Sequence, residues 1–179
     1  MNDARAQAQL TLLQNGEALI AGGNQGDALC PAERFSNGKW SLAANLADCV
    51  VGGDTAALLP NGDVLIDGGS PDSPVSEFYD PSTNVWQPTS GQQSADITLG
   101  PLALLDTGNV LLAGREFGVI GSKSAFLYDP STNEWTPTGS MPGARARFTL
   151  TPLLNGKVLA AGGYLREDFT LTTAALYTP

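Results

Sequence analysis

The sequence contains no histidine. Ser-His-Asp and Cys-His nucleophile systems are therefore excluded, and so are zinc, copper and non-haem iron sites that depend on imidazole ligands. Two cysteines are too few for a Cys₄ metal site. The sequence consequently predicts no resident metal and no cofactor, and it assembles no standard catalytic constellation.

Basic residues are also scarce. The chain has nine Lys and Arg residues and 18 Asp and Glu residues, which gives a formal net charge of −9. The few cations form no stripe, so nucleic acid is not an expected partner, because neutralisation of phosphates supplies most of that affinity. An anionic membrane surface is not an expected partner for the same reason, and no apolar run approaches the roughly 20 residues of a membrane span.

Glycine, proline and apolar residues are abundant. The 179 residues include 21 Gly and 12 Pro, and 42% of the chain is apolar. The apolar fraction is sufficient for a sizeable core, while the glycines and prolines are typical of a chain that turns often. The length fits one domain or one array of repeats.

An internal repeat organises the whole chain. A turn, a short apolar run and a glycine pair recur as "NGEALIAGG" (15–23), "NGDVLIDGG" (61–69) and "NGKVLAAGG" (155–163), with a weaker copy, "TGNVLLAGR" (107–115). The turn glycines are spaced by 46, 46 and 48 residues. Self-similarity at this period is the signature of a propeller or a solenoid.

Aromatic residues recur at equivalent positions of the repeats. An aromatic follows each apolar run at Phe35, Tyr79, Tyr128 and Tyr177. A tryptophan then follows in three copies, at Trp40, Trp86 and Trp135. The short apolar runs between turn residues predict buried strands, and the tryptophans predict a fourth, outer strand. Each repeat therefore predicts four strands, a to d, in order along the chain.

Two kinds of turn connect the strands. Asn-Gly between the first two strands predicts a tight hairpin in which both central residues have positive φ. "YDPSTN" between the last two predicts a turn that Asp80 or Asp129 caps with its side chain.

This arrangement resembles the Kelch-repeat β-propeller family over the whole chain, and "SAFLYDPSTNEWTPTGSMPGARA" is particularly similar to bacterial Kelch repeats. The family pattern is a glycine pair after strand b, a tyrosine on strand c and a tryptophan on strand d. The matching glycine pairs are Gly22 with Gly23, Gly68 with Gly69, and Gly162 with Gly163. The departures are Arg115 in place of a glycine, Phe35 in place of tyrosine, and a last repeat without its tryptophan strand.

The resemblance implies an all-β propeller with four-stranded blades at about residues 4–48, 49–95, 96–142 and 143–179. The last blade would lack its outer strand and expose the edge of strand c, which invites pairing. We therefore expect self-association, or further blades that complete the propeller.

The resemblance also implies a function. The expected role is a non-catalytic scaffold that recognises a protein, peptide or glycan through the loops between strands b and c. One alternative is a structural subunit of an oligomer or filament that neighbouring chains complete. Another is a fragment of a sugar-active Kelch enzyme; a copper-radical oxidase would need histidine ligands, which this chain lacks.

Five residues are candidate ligand contacts. Arg115 could anchor a carboxylate through its forked guanidinium, or it could pair with Glu116 or another acid. Asp67 interrupts an apolar strand, so it is either a ligand acceptor or the buried partner of a cation such as Arg115. Arg147, Tyr164 and Arg166 belong to the last repeat, the most basic part of the chain.

Two further pairs have framework interpretations. Arg5 and Arg145 occupy the same position in "ARA" triplets of the first and last repeats, which predicts a structural role and suggests a bond between blades. Cys30 and Cys49 belong to segments that open on one face, so they are close in space, either bridged or as separate thiols. A bridge would favour a secreted or periplasmic location over the cytoplasm.

Overall fold

Every element of secondary structure is a β-strand in the computed structural model, which describes residues 1–23, 30–47, 49, 55–70, 73–91, 100–114, 121–166 and 169–179. The prediction of an all-β chain is confirmed for these residues. None of them belongs to a helix long and apolar enough to cross a membrane. The chain divides into two units, Met1–Thr89 and Ser90–Pro179.

The first unit holds two four-stranded antiparallel sheets. The strands of the first are β1 (Gln9–Leu12), β2 (Ala18–Ala21), β3 (Glu33–Ser36) and β4 (Lys39–Leu42). Those of the second are β5 (Thr55–Leu58), β6 (Val64–Ser70), β7 (Ser73–Asp80) and β8 (Val85–Pro88). Both sheets follow chain order, so each repeat is a meander whose four strands are the predicted a, b, c and d.

The second unit holds one four-stranded and one three-stranded sheet. The first consists of β9 (Leu102–Leu104), β10 (Val110–Ala113), β11 (Ala125–Asp129) and β12 (Glu134–Pro137). The second consists of β13 (Thr149–Pro152), β14 (Val158–Ala161) and β17 (Ala174–Tyr177). A two-stranded hairpin, β15 (Tyr164–Arg166) and β16 (Phe169–Thr170), lies between β14 and β17 in the chain.

The a–b turns differ from the prediction. Only the second residue of each Asn-Gly or Thr-Gly pair has positive φ, as at Gly16 (85°) and Gly62 (96°). The amide of Gly16 donates to the carbonyl of Leu13, and Leu13 in turn donates to Glu17. This is a three-residue hairpin loop that ends in a left-handed glycine, a geometry in which the asparagine keeps a negative φ. The asparagine acts through its side chain instead, because Asn15 Oδ1 accepts from the Glu17 amide at 3.0 Å.

The glycine pairs bring strand b close to the segment before strand a. A Cβ on Gly23 would lie 2.7 Å from the carbonyl oxygen of Ala6, and one on Gly163 would lie 2.5 Å from that of Ala146. No side chain fits at these distances, and both glycines also have positive φ. In the first and last repeats the second glycine of the pair is therefore a requirement of backbone packing.

The outer strands carry the predicted aromatic contacts. Trp86 lies opposite Tyr79, and Trp135 lies opposite Tyr128, with ring centres 5.0 and 5.1 Å apart. Both pairs are buried, whereas Trp40 is only half-buried. The turn before each tryptophan contains an asparagine in the left-handed region, and the Tyr79 hydroxyl donates to Asn84 Oδ1 at 2.8 Å. Asp80 caps this turn by accepting from the Ser82 amide at 2.8 Å, as the sequence predicted.

Candidate functional site

A ladder of backbone hydrogen bonds organises the b–c end of the second unit. Ser122 and Arg145 exchange amide-to-carbonyl bonds of 3.2 and 2.9 Å. Ala146 and Tyr164 exchange two bonds of 2.9 Å. The start of the last repeat is thus held between the connection that precedes β11 and the hairpin that follows β14. This ladder fixes the backbone from which Arg147 and Tyr164 project.

Arg147 and Tyr164 contact one another. The guanidinium carbon of Arg147 lies 5.9 Å from the centre of the Tyr164 ring, which is within cation–π range. Arg147 is exposed and Tyr164 is half-buried, so the pair presents a cation and part of a ring to solvent. The φ of Arg147 is 47°, and its counterpart Gln7 has a φ of 58°. The backbone geometry therefore belongs to the repeat, while the cationic side chain is particular to this site.

The β15–β16 hairpin adds a second cation and a second ring. Arg166 pairs with Phe169 across the hairpin, and both side chains are exposed. The neighbouring Glu167 and Asp168 lie outside the described residues. The hairpin and Arg147 together give a small surface, named here the Arg147–Tyr164 surface, that consists of Arg147, Tyr164, Arg166 and Phe169. Its chemistry suits a planar or anionic group, since guanidinium groups bind carboxylates and rings stack on flat faces.

The described side-chain hydrogen bonds of the two framework arginines are made within their own repeats, and the bond of Arg145 to the preceding repeat is made by its backbone, with Ser122. Arg5 Nη1 donates to the carbonyls of Gly22 and Pro31 at 3.1 and 2.8 Å. Arg145 Nη1 donates to Gly162 and Thr173, both at 2.8 Å. Each arginine thereby joins the end of strand b to the segment before strand c. Both side chains are buried, which makes them structural groups.

Arg5 has a carboxylate partner that the sequence did not suggest. Its Nη2 lies 3.1 Å from Glu33 Oε1, and the Glu33 side chain is fully buried. Glu33 also accepts from the amides of Asn2 and Asp3, at 2.6 and 3.2 Å. Burial alone would raise the pKa of Glu33, but these amides and the Arg5 charge outweigh it and lower the pKa. Glu33 therefore ties the first residues of the chain to strand c.

Asp67, another candidate ligand contact, belongs to the first unit and is buried. Asp67 is buried in β6, where its Oδ1 accepts from the Ser76 hydroxyl at 2.7 Å. Its carboxylate is therefore away from solvent, and the Ser76 bond belongs to strand pairing within the sheet. Arg115, the other proposed anchor, lies outside the described residues, and so does Glu116.

Cys30 and Cys49 are joined by a disulfide in the structure. Cys30 precedes β3 and Cys49 lies between β4 and β5, so the bond links the b–c connection of the first repeat to the start of the second. The Leu46 amide donates to the Cys30 carbonyl at 3.0 Å, which holds the two segments together beside the bond.

A polar cleft lies at the a–b end of the first unit. Its volume is about 260 Å³, and it is lined by the two a–b turns and by residues 80–82. Burial raises the pKa of Asp63, an effect that the Asn61 side chain reduces by hydrogen bonding and the Asp80 charge increases. Among the described residues no group of three acidic or thiol side chains is arranged to hold a metal ion.

The sequence matches no protein-family model, and a search of curated proteins found no match.

Proposed function

We propose that this chain is a non-catalytic binding module, built as part of a Kelch-type propeller, that recognises a protein, peptide or glycan through the b–c ends of its repeats. The Arg147–Tyr164 surface carries the proposal. It combines Arg147, which precedes strand a of the last repeat, with Tyr164, Arg166 and Phe169 of the b–c connection of that repeat, in a chain whose net charge is −9. Cations clustered against the overall charge favour an anionic ligand.

The repeated sheets support the propeller part of the proposal. Three meanders of four antiparallel strands recur at the sequence period within the described residues, and their Tyr or Phe and Trp residues pair alike in each. A fold of this kind does not by itself define a function. The ligand class is therefore inferred from the side chains of the surface.

The ligand chemistry follows from these side chains. Arg147 and Arg166 can each bind a carboxylate with two parallel hydrogen bonds. Tyr164 and Phe169 offer ring faces of the kind that pack against sugars or peptide side chains. A peptide rich in Asp and Glu, or a glycan that carries carboxylates, satisfies both features.

An array of glycans and peptides, probed with the labelled 179-residue chain, tests this function. Acidic ligands should be retained, and Arg147→Ala and Tyr164→Ala should each reduce their binding at least tenfold. Lys157→Ala is the matched control, because Lys157 is a cation of the same repeat at the opposite, a–b, end. Unchanged binding by both variants, or retention of neutral and basic ligands only, would contradict the proposal.

A further inference from the structure

The Cys30–Cys49 bond closes a junction between the two repeats of the first unit. Cys30 lies in the connection before β3, and Cys49 lies between β4 and β5. Both cysteines are therefore in segments that lead into strands, and neither belongs to a sheet. The ladder hydrogen bonds of the two sheets do not depend on the disulfide, because neither cysteine is paired in a strand.

The second unit has an equivalent junction, between the third and fourth repeats. Cys30 and Lys123 each precede the aromatic of strand c by five residues. Leu46 and Met141 each follow the tryptophan of strand d by six residues. The Leu46 amide donates to the Cys30 carbonyl at 3.0 Å, and the Met141 amide donates to the Lys123 carbonyl at 2.8 Å. The same backbone hydrogen bond therefore closes both junctions, with or without a cysteine.

A second contact completes each junction, and it is covalent in the first unit. Cys49 and Ala144 each follow the tryptophan of strand d by nine residues. Next to Ala144 in the chain, Arg145 exchanges two backbone hydrogen bonds with Ser122, at 2.9 and 3.2 Å. The disulfide stands one position along each segment from the equivalent of this bridge. Because the second unit closes its junction without a covalent bond, we expect the first unit to keep its strands when the disulfide opens.

The two cysteines differ in accessibility. Cys49 is exposed, whereas Cys30 is half-buried. Thiol–disulfide exchange proceeds by attack of a thiolate on a disulfide sulfur, and its rate depends on access to that sulfur. An incoming thiol therefore reaches Cys49 more readily. The hydrogen bond from Leu46 to the Cys30 carbonyl holds the two segments together after the disulfide opens, so the two sulfurs stay close enough to rejoin.

We propose that the Cys30–Cys49 disulfide is an exchange site at which Cys49 takes up a small thiol such as glutathione. The thiolate of that molecule attacks Cys49 Sγ and forms a mixed disulfide with it. The bond to Cys30 breaks, and Cys30 Sγ leaves with the electron pair and then takes a proton from water. The connection before β3 is thereby released from Cys49. Return attack by the Cys30 thiolate on the mixed disulfide expels the small thiol and restores the parent chain.

Reduction of the native 179-residue chain by dithiothreitol tests whether the disulfide is exchangeable in the folded state. We expect thiol titration to find both thiols, formed at a rate within tenfold of that of the chain unfolded in urea. Circular dichroism should keep its strand signal throughout. A native chain that resists millimolar dithiothreitol while the unfolded chain reacts would overturn the proposal, and so would loss of the strand signal on reduction.

Two single-thiol variants decide which sulfur is attacked. Cys30→Ser leaves Cys49 as a free thiol, and Cys49→Ser leaves Cys30. Exchange with oxidised glutathione, followed by mass spectrometry, should modify Cys49 at least tenfold faster than Cys30, because Cys49 is the exposed residue. Urea should remove this difference, since both thiols are accessible in the unfolded chain. Equal rates in the native variants, or faster modification of Cys30, would overturn the assignment to Cys49.

Discussion

Arg5 and Arg145 occupy one position in two repeats, yet their surroundings differ in charge. Both are buried and both bind the carbonyl of the first glycine of the pair, Gly22 or Gly162. Arg5 continues to the Glu33 carboxylate, 3.1 Å away. Arg145 binds no carboxylate among the described residues, and its Nη2 donates instead to the neutral Thr173 hydroxyl at 2.9 Å. Comparing the two sites therefore distinguishes the effect of the carbonyl hydrogen bonds, which both arginines make, from the effect of the ion pair, which is described for Arg5 alone.

Two residue differences explain the contrast. The residue that faces Arg5 from strand c is Glu33, and the equivalent residue of the last repeat is Ala175. Pro31, which has no side-chain donor or acceptor, is replaced by Thr173, whose hydroxyl accepts from the guanidinium. The carbonyl contacts are common to both, so they define the framework. The carboxylate is an addition that also binds Asn2 and Asp3.

Replacing each arginine by methionine gives the largest expected difference. Arg5→Met should lower the free energy of unfolding by about 3–5 kcal/mol, because it leaves the buried Glu33 without its cation. Arg145→Met should cost about 1–2 kcal/mol, since lost hydrogen bonds are offset by removal of a buried charge for which the described residues provide no carboxylate partner. Urea unfolding measures both values. Equal losses would show that the carboxylate does not distinguish the two sites.

The disulfide is a second asymmetry, because both cysteines lie in the first unit. The bond joins residues 19 apart, and a loop of this size contributes about 3 kcal/mol in the chain-entropy account. Cys30→Ser with Cys49→Ser should lower stability by about that amount. Thiol titration of the denatured, unreduced parent chain is the control, and two free thiols there would contradict the bond.

Acid should affect the first unit more than the second. The pKa of Glu33 is lowered in the folded state, so its contribution is present above the ordinary value of about 4.3 and is lost as pH falls below it. Asp80 and Asp129 have lowered pKa values through hydrogen bonds from Ser82 and Ser131, but each unit has one of them. Only the first unit has Glu33. Hydrogen exchange between pH 6 and pH 3 should show faster opening there, and a uniform change in both units would be inconsistent with this assignment.

Much of the fold could be predicted from the sequence, because its signals are local. The turn glycines, the Asp80 cap and the Trp86–Tyr79 pair each depend on residues within a few positions. Even so, the a–b turn type was wrong, since Asn-Gly suits two hairpin geometries and the pattern of backbone hydrogen bonds decides between them.

The sites were harder to predict, because their partners are distant in the chain. Glu33 is 28 residues from Arg5, and the strand-c position that it fills holds alanine in the last repeat. Arg147 and Tyr164 were singled out separately, but their contact depends on the ladder between Ala146 and Tyr164. A small apolar cleft, whose walls include Leu111, Met141 and Tyr177, combines residues of two sheets, and no spacing in the sequence indicates it. One signal was available in the sequence: Asn84 and Asn133 each precede a tryptophan by two residues. These asparagines accept the hydrogen bonds from the tyrosine hydroxyls of strand c.

The smallest expected effect comes from adding the missing carboxylate. Ala175→Glu places an acid at the position that Glu33 occupies in the first repeat, on the strand neighbouring Thr173. Because Arg145 is buried and its partners among the described residues are uncharged oxygens, a carboxylate within reach should stabilise the chain by about 1 kcal/mol after the cost of its own desolvation. Ala174→Glu, on the exposed face of the same strand, should change stability by much less. The thermal midpoint at pH 7 and pH 3 measures both, and the gain from Ala175→Glu should disappear in acid and in an Arg145→Met background. A gain that survives either change, or a loss at pH 7, would mean that the last repeat does not accept the charge pair of the first.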